Sequence, residues 1–200
     1  MADIKTIISR NALTFYDYAT GLRQPLWKRY TILVALAALS AWTFNDKSEN
    51  LYMSIIAAQS ILIGFSFNVM IFLGSNPNIK IPPNASLERK GKIRKLNLLS
   101  SELFFNLSYF NLVAIISVVT ALLLLASPMA KSTVIHVQAF LVETGLDPSN
   151  LKEYIGFIVL WVRTALLFTL YYLIIDSLSS FFRIVKRASY YFETKMALAD

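Results

Sequence analysis

Few side chains in this sequence can carry charge through an apolar medium, and two of them stand alone. Arg163 and Asp176 interrupt the otherwise uncharged run from Tyr154 to Phe182. Ionised groups inside such a run are costly and call for a partner or water. The two residues lie about 20 Å apart along a helix and on different faces, so they cannot pair within one straight helix. Glu143, Asp147, Glu153 or another subunit lies within outward reach of Arg163. Asp176 has Arg183, two turns on, or a loop lysine as its nearest candidates. Both residues suit a structural ion pair, and both suit gating or conduction.

Amides and hydroxyls form the second set. Tyr52, Gln59 and Ser66 recur every seventh residue and share one helical face. Ser60, Gly64 and Asn68 recur every fourth, a small-residue ridge that admits another backbone. Asn106, Ser108 and Asn111 cluster near the start of another apolar run. Tyr52, Gln59, Ser66, Asn68, Asn106, Ser108 and Asn111 are therefore pore-lining candidates. Interhelical hydrogen bonding explains the same residues equally simply, and the sequence leaves both readings open.

The third set is basic. Arg89, Lys90, Lys92, Arg94 and Lys95 fall within seven residues, and Arg183, Lys186 and Arg187 follow the last apolar run. Such clusters anchor a span at the membrane interface, and they also suit a polyanion or an acidic cytosolic partner. No phosphate-binding loop, Ser/His/Asp set or HExxH motif is present, so no enzymatic activity is expected. With no cysteine and one histidine, His136, neither a metal centre nor a cofactor is expected.

The elements that hold these residues follow from composition. The chain is 56% apolar and 16% charged, with mean hydropathy +0.55, whereas soluble domains carry about 25% charged residues. Tyr30–Asn45, Asn50–Ile79 and Leu103–Ala130 contain no charged residue, and 154–182 contains only the two named above. The fold class expected is an all-α integral membrane protein, a homo-oligomeric bundle of four transmembrane helices with an N-terminal amphipathic cytosolic helix. Residues 1–28 form the N-terminal segment, and the spans cover about 29–45, 51–74, 103–127 and 154–178. A cytosolic loop at 75–102, an external loop at 128–153 and a cytosolic tail at 188–200 complete the layout.

Charge sets the orientation. Both termini and the 75–102 loop carry 15 Lys and Arg, against 3 in the other two loops. The positive-inside rule places the first group in the cytosol, and the expected location is the bacterial inner membrane. The pI near 9.6 is thus largely a topology signal, while the inner surface remains attractive to anionic lipid or nucleic acid.

Local signals fix the boundaries. Residues 4–20 predict a loose amphipathic helix, lying on the inner membrane surface or packed under the bundle, broken by Gly21 and Pro25. The short polar turn at 45–50 predicts a tight hairpin of the first two spans. Ser86 is the expected N-cap of a helix running to Ser127, with Pro128 as its end. Val134–Val142 predicts a short interfacial or bundle-capping segment, and Asp147-Pro148 the start of the fourth helix.

Ile61-Leu62-Ile63-Gly64-Phe65-Ser66-Phe67-Asn68, the basic helix leading into Leu99-Ser100-Ser101-Glu102-Leu103-Phe104-Phe105-Asn106-Leu107-Ser108, and Phe168-Thr169-Leu170 with Phe182-Arg183 resemble small four-span proteins of bacterial phage-defence operons. The nearest in pattern are the Hailong membrane effectors, with the Kiwa membrane subunit and the phage-exclusion Rex membrane protein more distant. The resemblance covers residues 50–187 in layout and leaves 1–28 and 132–145 unmatched. It implies an oligomer such as a tetramer that depolarises the membrane when a cytosolic partner signals infection. In the Hailong type that partner is a nucleotidyltransferase, and its short single-stranded DNA would hold the channel closed. A Kiwa-type sensor or scaffold without ion flux, or an immunity protein binding a toxin in the membrane, would fit the same layout.

Overall fold

The computed structural model describes the backbone of residues 3–16, 25–44, 49–75, 79–84, 86–143 and 148–197, and side chains within these except at 127–156 and 159. Five helices account for nearly all of it: α1 (Ile4–Leu13), α2 (Leu26–Thr43), α3 (Glu49–Ser75), α4 (Leu87–Glu143) and α5 (Pro148–Met196). Among the described residues no strand extends the fold beyond helices. Three helical segments are long and apolar enough to cross a membrane: Glu49–Ser75, Leu87–Ala126 and Leu160–Met196. α2 is not among them, because Lys28 and Arg29 occupy its first turn and leave an apolar length of about 21 Å.

α4 is the central post. It packs along α5 and α3, takes α1 near its start, and leaves α2 to pack on α5. The expected tight hairpin of α2 and α3 is not formed along their lengths, since α2 finds its neighbour in α5. The α4 stripe Leu96, Leu99, Leu103, Leu107, Phe110 and Ala114 recurs at steps of three or four residues and is buried against Leu73, Ile184 and Tyr191. Ala37, Tyr52, Ala121, Leu124, Leu167, Leu170 and Tyr171 form a second cluster toward the other end. The outer faces are apolar as well: Ile61 and Ile71 are 72% and 68% exposed. That arrangement suits lipid, not water.

Ser86 caps α4 as its sequence predicts, with its Oγ accepting the Arg89 N–H at 3.2 Å. The preceding loop is pinned by a reciprocal pair: Ile79 N–H donates to Asn97 Oδ1 at 3.0 Å, and Asn97 Nδ2 donates to Ile79 O at 3.1 Å. Pro128 does not end α4, which runs on through the expected external loop to Glu143. A lone proline removes one hydrogen bond, and the helix-compatible residues on both sides carry the helix past it. The Val134–Val142 segment is therefore the last part of α4 and no separate element. α5 likewise extends past the expected span to Met196 and buries Tyr191, so most of the expected tail belongs to the bundle. Asp147 lies outside the described residues.

Candidate functional site

One face of α5 carries Asp176, Ser180, Arg183 and Arg187, at steps of four, three and four residues. The facing side of α4 carries Glu102, Asn106 and Tyr109 at steps of four and three. Arg29 comes from the first turn of α2, and residues 11–16, leaving α1, cross the same end of the bundle. Together they form a layered polar network.

The first layer is centred on Asp176, which is 2% exposed. Arg29 Nη2 donates to its Oδ1 as an ion pair, and the Tyr109 hydroxyl donates to its Oδ2 at 2.6 Å. Arg29 Nη2 also reaches Ser180 Oγ at 3.3 Å. The partner expected for Asp176 was Arg183 or a loop lysine; it is Arg29 instead. Arg183 turns to the strap formed by residues 11–16, where its Nη2 donates to Asn11 Oδ1 at 2.6 Å. Phe15 fills the space between, with the Arg183 and Arg29 guanidinium carbons 3.7 Å and 4.3 Å from its ring centroid.

The last layer is built on Glu102. The Tyr16 hydroxyl lies 2.7 Å and 2.9 Å from its two carboxylate oxygens, and Arg187 Nη1 lies 3.6 Å from one of them. Arg187 Nη2 donates to Thr14 O, which ties α5 to the strap backbone. Thr14 Oγ1 sits 2.8 Å from Asn106 Oδ1 and 2.7 Å from Asn11 O. Arg187 is 4% exposed. Arg183 and Arg187 are thus interior network residues, a correction to their expected place on a polyanion-binding surface; Lys186 between them stays exposed. The helical period separates them: Asp176, Ser180, Arg183 and Arg187 fall within about 60° of one another around the helix, and Lys186 lies about 90° from their mean direction.

A second set of polar atoms lies deeper in the bundle. Tyr52, Gln59, Ser66 and Leu73 are the buried residues of α3. Gln59 Nε2 donates to Ser177 Oγ at 2.8 Å, and Ser177 Oγ bonds Ile174 O at 2.9 Å. Tyr52 Oη, Gln59 Oε1, Ser66 Oγ, Asn111 Oδ1 and Ser117 Oγ are buried without a hydrogen-bond partner. Tyr52 to Ser66 spans about 21 Å along α3. Asn111 Nδ2 lies 3.3 Å from Met70 Sδ, a weak acceptor. Asn68 is exposed on the outer face with Ser60 and Gly64, and the Ser108 hydroxyl is spent on its own helix, on Phe104 O at 2.9 Å. The structure therefore gathers Tyr52, Gln59, Ser66, Asn111 and Asn106 inside the chain and separates Asn68 and Ser108 from them.

The basic run of α4 lies on the surface. Arg89, Lys92, Arg94 and Lys95 are exposed, with Lys92 bridged to Glu88 at 2.7 Å and Lys90 Nζ donating to Pro83 O at 3.0 Å. Arg163 is half-buried on α5; Glu143, Asp147 and Glu153, its expected partners, have no described side chains. Among the described residues no group of three acidic, histidine or cysteine side chains converges as a metal site.

Sequence reasoning missed Arg29, Glu102, Tyr109 and the whole strap Asn11–Tyr16. The signal was present as spacing: Glu102 and Tyr109, Asp176 and Arg183, and Ser180 and Arg187 are each seven residues apart. No family model, curated protein or solved structure matches this chain.

Proposed function

We propose that the chain is a membrane effector of a bacterial antiphage defence system, which assembles as a homo-oligomer and conducts ions across the inner membrane once a cytosolic partner releases it. In this reading α2 is a fourth, short span and both termini are cytosolic. The observation that carries it is the set of buried polar atoms without partners carried by α3 and α4, from Tyr52 through Gln59 and Ser66 to Asn111 and Ser117. Leaving such an atom unsatisfied costs about 1–3 kcal/mol. A second conformation in which water and ions line these atoms removes that cost, so the packed arrangement is the closed state. The defence setting rests on the resemblance of residues 50–187 given above.

The basic run Arg89, Lys90, Lys92, Arg94 and Lys95 then receives the cytosolic input, from an acidic defence protein, a nucleotidyltransferase or its short single-stranded DNA. The test is single-channel recording from purified protein in planar bilayers, with and without short single-stranded DNA. Discrete currents suppressed by DNA support the reading. A silent bilayer with correctly inserted, oligomeric protein overturns it.

One observation favours a second reading, a non-conducting sensor or scaffold. The Tyr52, Gln59 and Ser66 face is already covered within one chain, and Gln59 has a partner in Ser177. That reading predicts no current under any condition, and defence activity that survives replacement of the buried polar set.

A further inference from the structure

A cleft of about 350 Å³ lies between the first turns of α4 and the last turns of α5. Lys92 and Lys95 stand on the α4 side, Tyr190, Glu193 and Thr194 on the α5 side, with Leu96 and Leu99 as an apolar floor. We propose that this cleft binds one anionic phospholipid from the adjoining leaflet. Its headgroup phosphate would meet Lys95 and Lys92, and the upper part of an acyl chain would lie on Leu99.

Depth is the first argument. The uncharged stretch of α4 begins at Leu103, so Leu99 lies about 6 Å and Lys95 about 12 Å beyond it along the helix. The headgroup layer is about 5–8 Å thick on each side of the hydrocarbon core. Leu99 therefore falls at headgroup depth, and the long Lys95 side chain can reach back to a phosphate there. A soluble anion would gain nothing from Leu96 and Leu99, and a neutral lipid nothing from the lysines.

Charge is the second argument. Lys92 is held near the rim by Glu88, and both side chains are more than half exposed, so a phosphate can replace that carboxylate at small cost. Glu193 is the one acid in the lining and is exposed. Arg89 and Arg94 on the surrounding surface add to the attraction without lining the cleft. Basic recesses between helices at the membrane surface are suited to phospholipid headgroups. The proposal needs only that the chain lies in a membrane, and it stands whether or not the chain conducts.

The experiment counts retained lipids by native mass spectrometry of the full chain released from micelles doped equally with phosphatidylglycerol and phosphatidylcholine. Wild type should retain phosphatidylglycerol in preference. The double variant Lys92→Gln/Lys95→Gln should lower that retention at least about fivefold, the weight of one surface lysine toward an anionic membrane. Arg94→Gln, which removes an exposed charge outside the cleft, should keep it, and millimolar inorganic phosphate should not displace the lipid. All of these residues are exposed, so folding should survive, as the thermal midpoint would verify. Equal retention of the two lipids by wild type, equal loss in Arg94→Gln, or displacement by inorganic phosphate overturns the proposal. The last result would make the cleft a free-anion site. Unchanged retention in the double variant also overturns it and leaves the basic run to an acidic protein.

Discussion

Arg183 lies against Phe15 with its guanidinium carbon 3.7 Å from the ring centroid, and Arg29 approaches the same ring at 4.3 Å. Two cations from opposite ends of the sequence thus share one aromatic residue of the N-terminal strap. Among the described residues Asp176 and Glu102 serve Arg29 and Arg187, and the ring supplies Arg183 with a face of negative potential. Phe15→Leu keeps an apolar filler and removes the ring. It should lower stability in detergent by about 1–2 kcal/mol, measured by thermal unfolding. A neutral result would mean that the polar contacts alone hold the two arginines.

Asp176 should be the most sensitive position in the network. Asp176→Asn leaves the largely buried Arg29 without its carboxylate, which should cost up to about 3–5 kcal/mol. The double variant Arg29→Gln/Asp176→Asn should recover part of that loss, because the uncompensated charge is gone. Denaturation of all three variants in micelles closes the cycle, and strict additivity would show that the pair is not coupled.

Tyr109→Phe removes the hydroxyl that donates to Asp176 Oδ2 and leaves the ring in place. The loss should be about 1.5–3 kcal/mol, the range for a hydrogen bond to a charged group. Thermal unfolding measures it, and a change below 0.5 kcal/mol, about the level of a neutral surface substitution, would exclude this bond from the stabilising set.

Gln59→Leu tests conduction through the chain interior. Under the proposed channel function it should reduce single-channel conductance and leave the proposed oligomer intact on size exclusion. Unchanged conductance with dissociated oligomers would assign the α3 polar face to packing.

Orientation has its own check. The proposed topology, with both termini in the cytosol, rests on the 15 to 3 division of Lys and Arg. An alkaline-phosphatase fusion after Asp200 should be inactive, and a fluorescent-protein fusion bright. Strong phosphatase activity would reverse the topology.

The helices were legible because hydropathy and period act locally. Charge-free runs marked the apolar segments, Ser86 marked the start of α4, and the Tyr52, Gln59, Ser66 spacing marked the buried face of α3. Gln59 shows where local reasoning stops: a polar face turned toward water and one turned toward another helix have the same period. The Asp176 partner was out of reach for a different reason. Arg29 is 147 residues away in the first turn of α2, and no local spacing links it to Asp176. Pro128 was misjudged because a single missing hydrogen bond does not outweigh the helix-forming residues on both sides.

The strap also constrains how the chain is made. Arg29 is joined to a residue translated 147 positions later, and the Thr14 carbonyl to one 173 positions later. At about 5–20 residues per second, the first of these gaps lasts roughly 7–30 s. During that interval α1 and α2 have left the ribosome while the α5 face that fastens them does not yet exist. The segment synthesised first is thus locked only once the α5 face has been made.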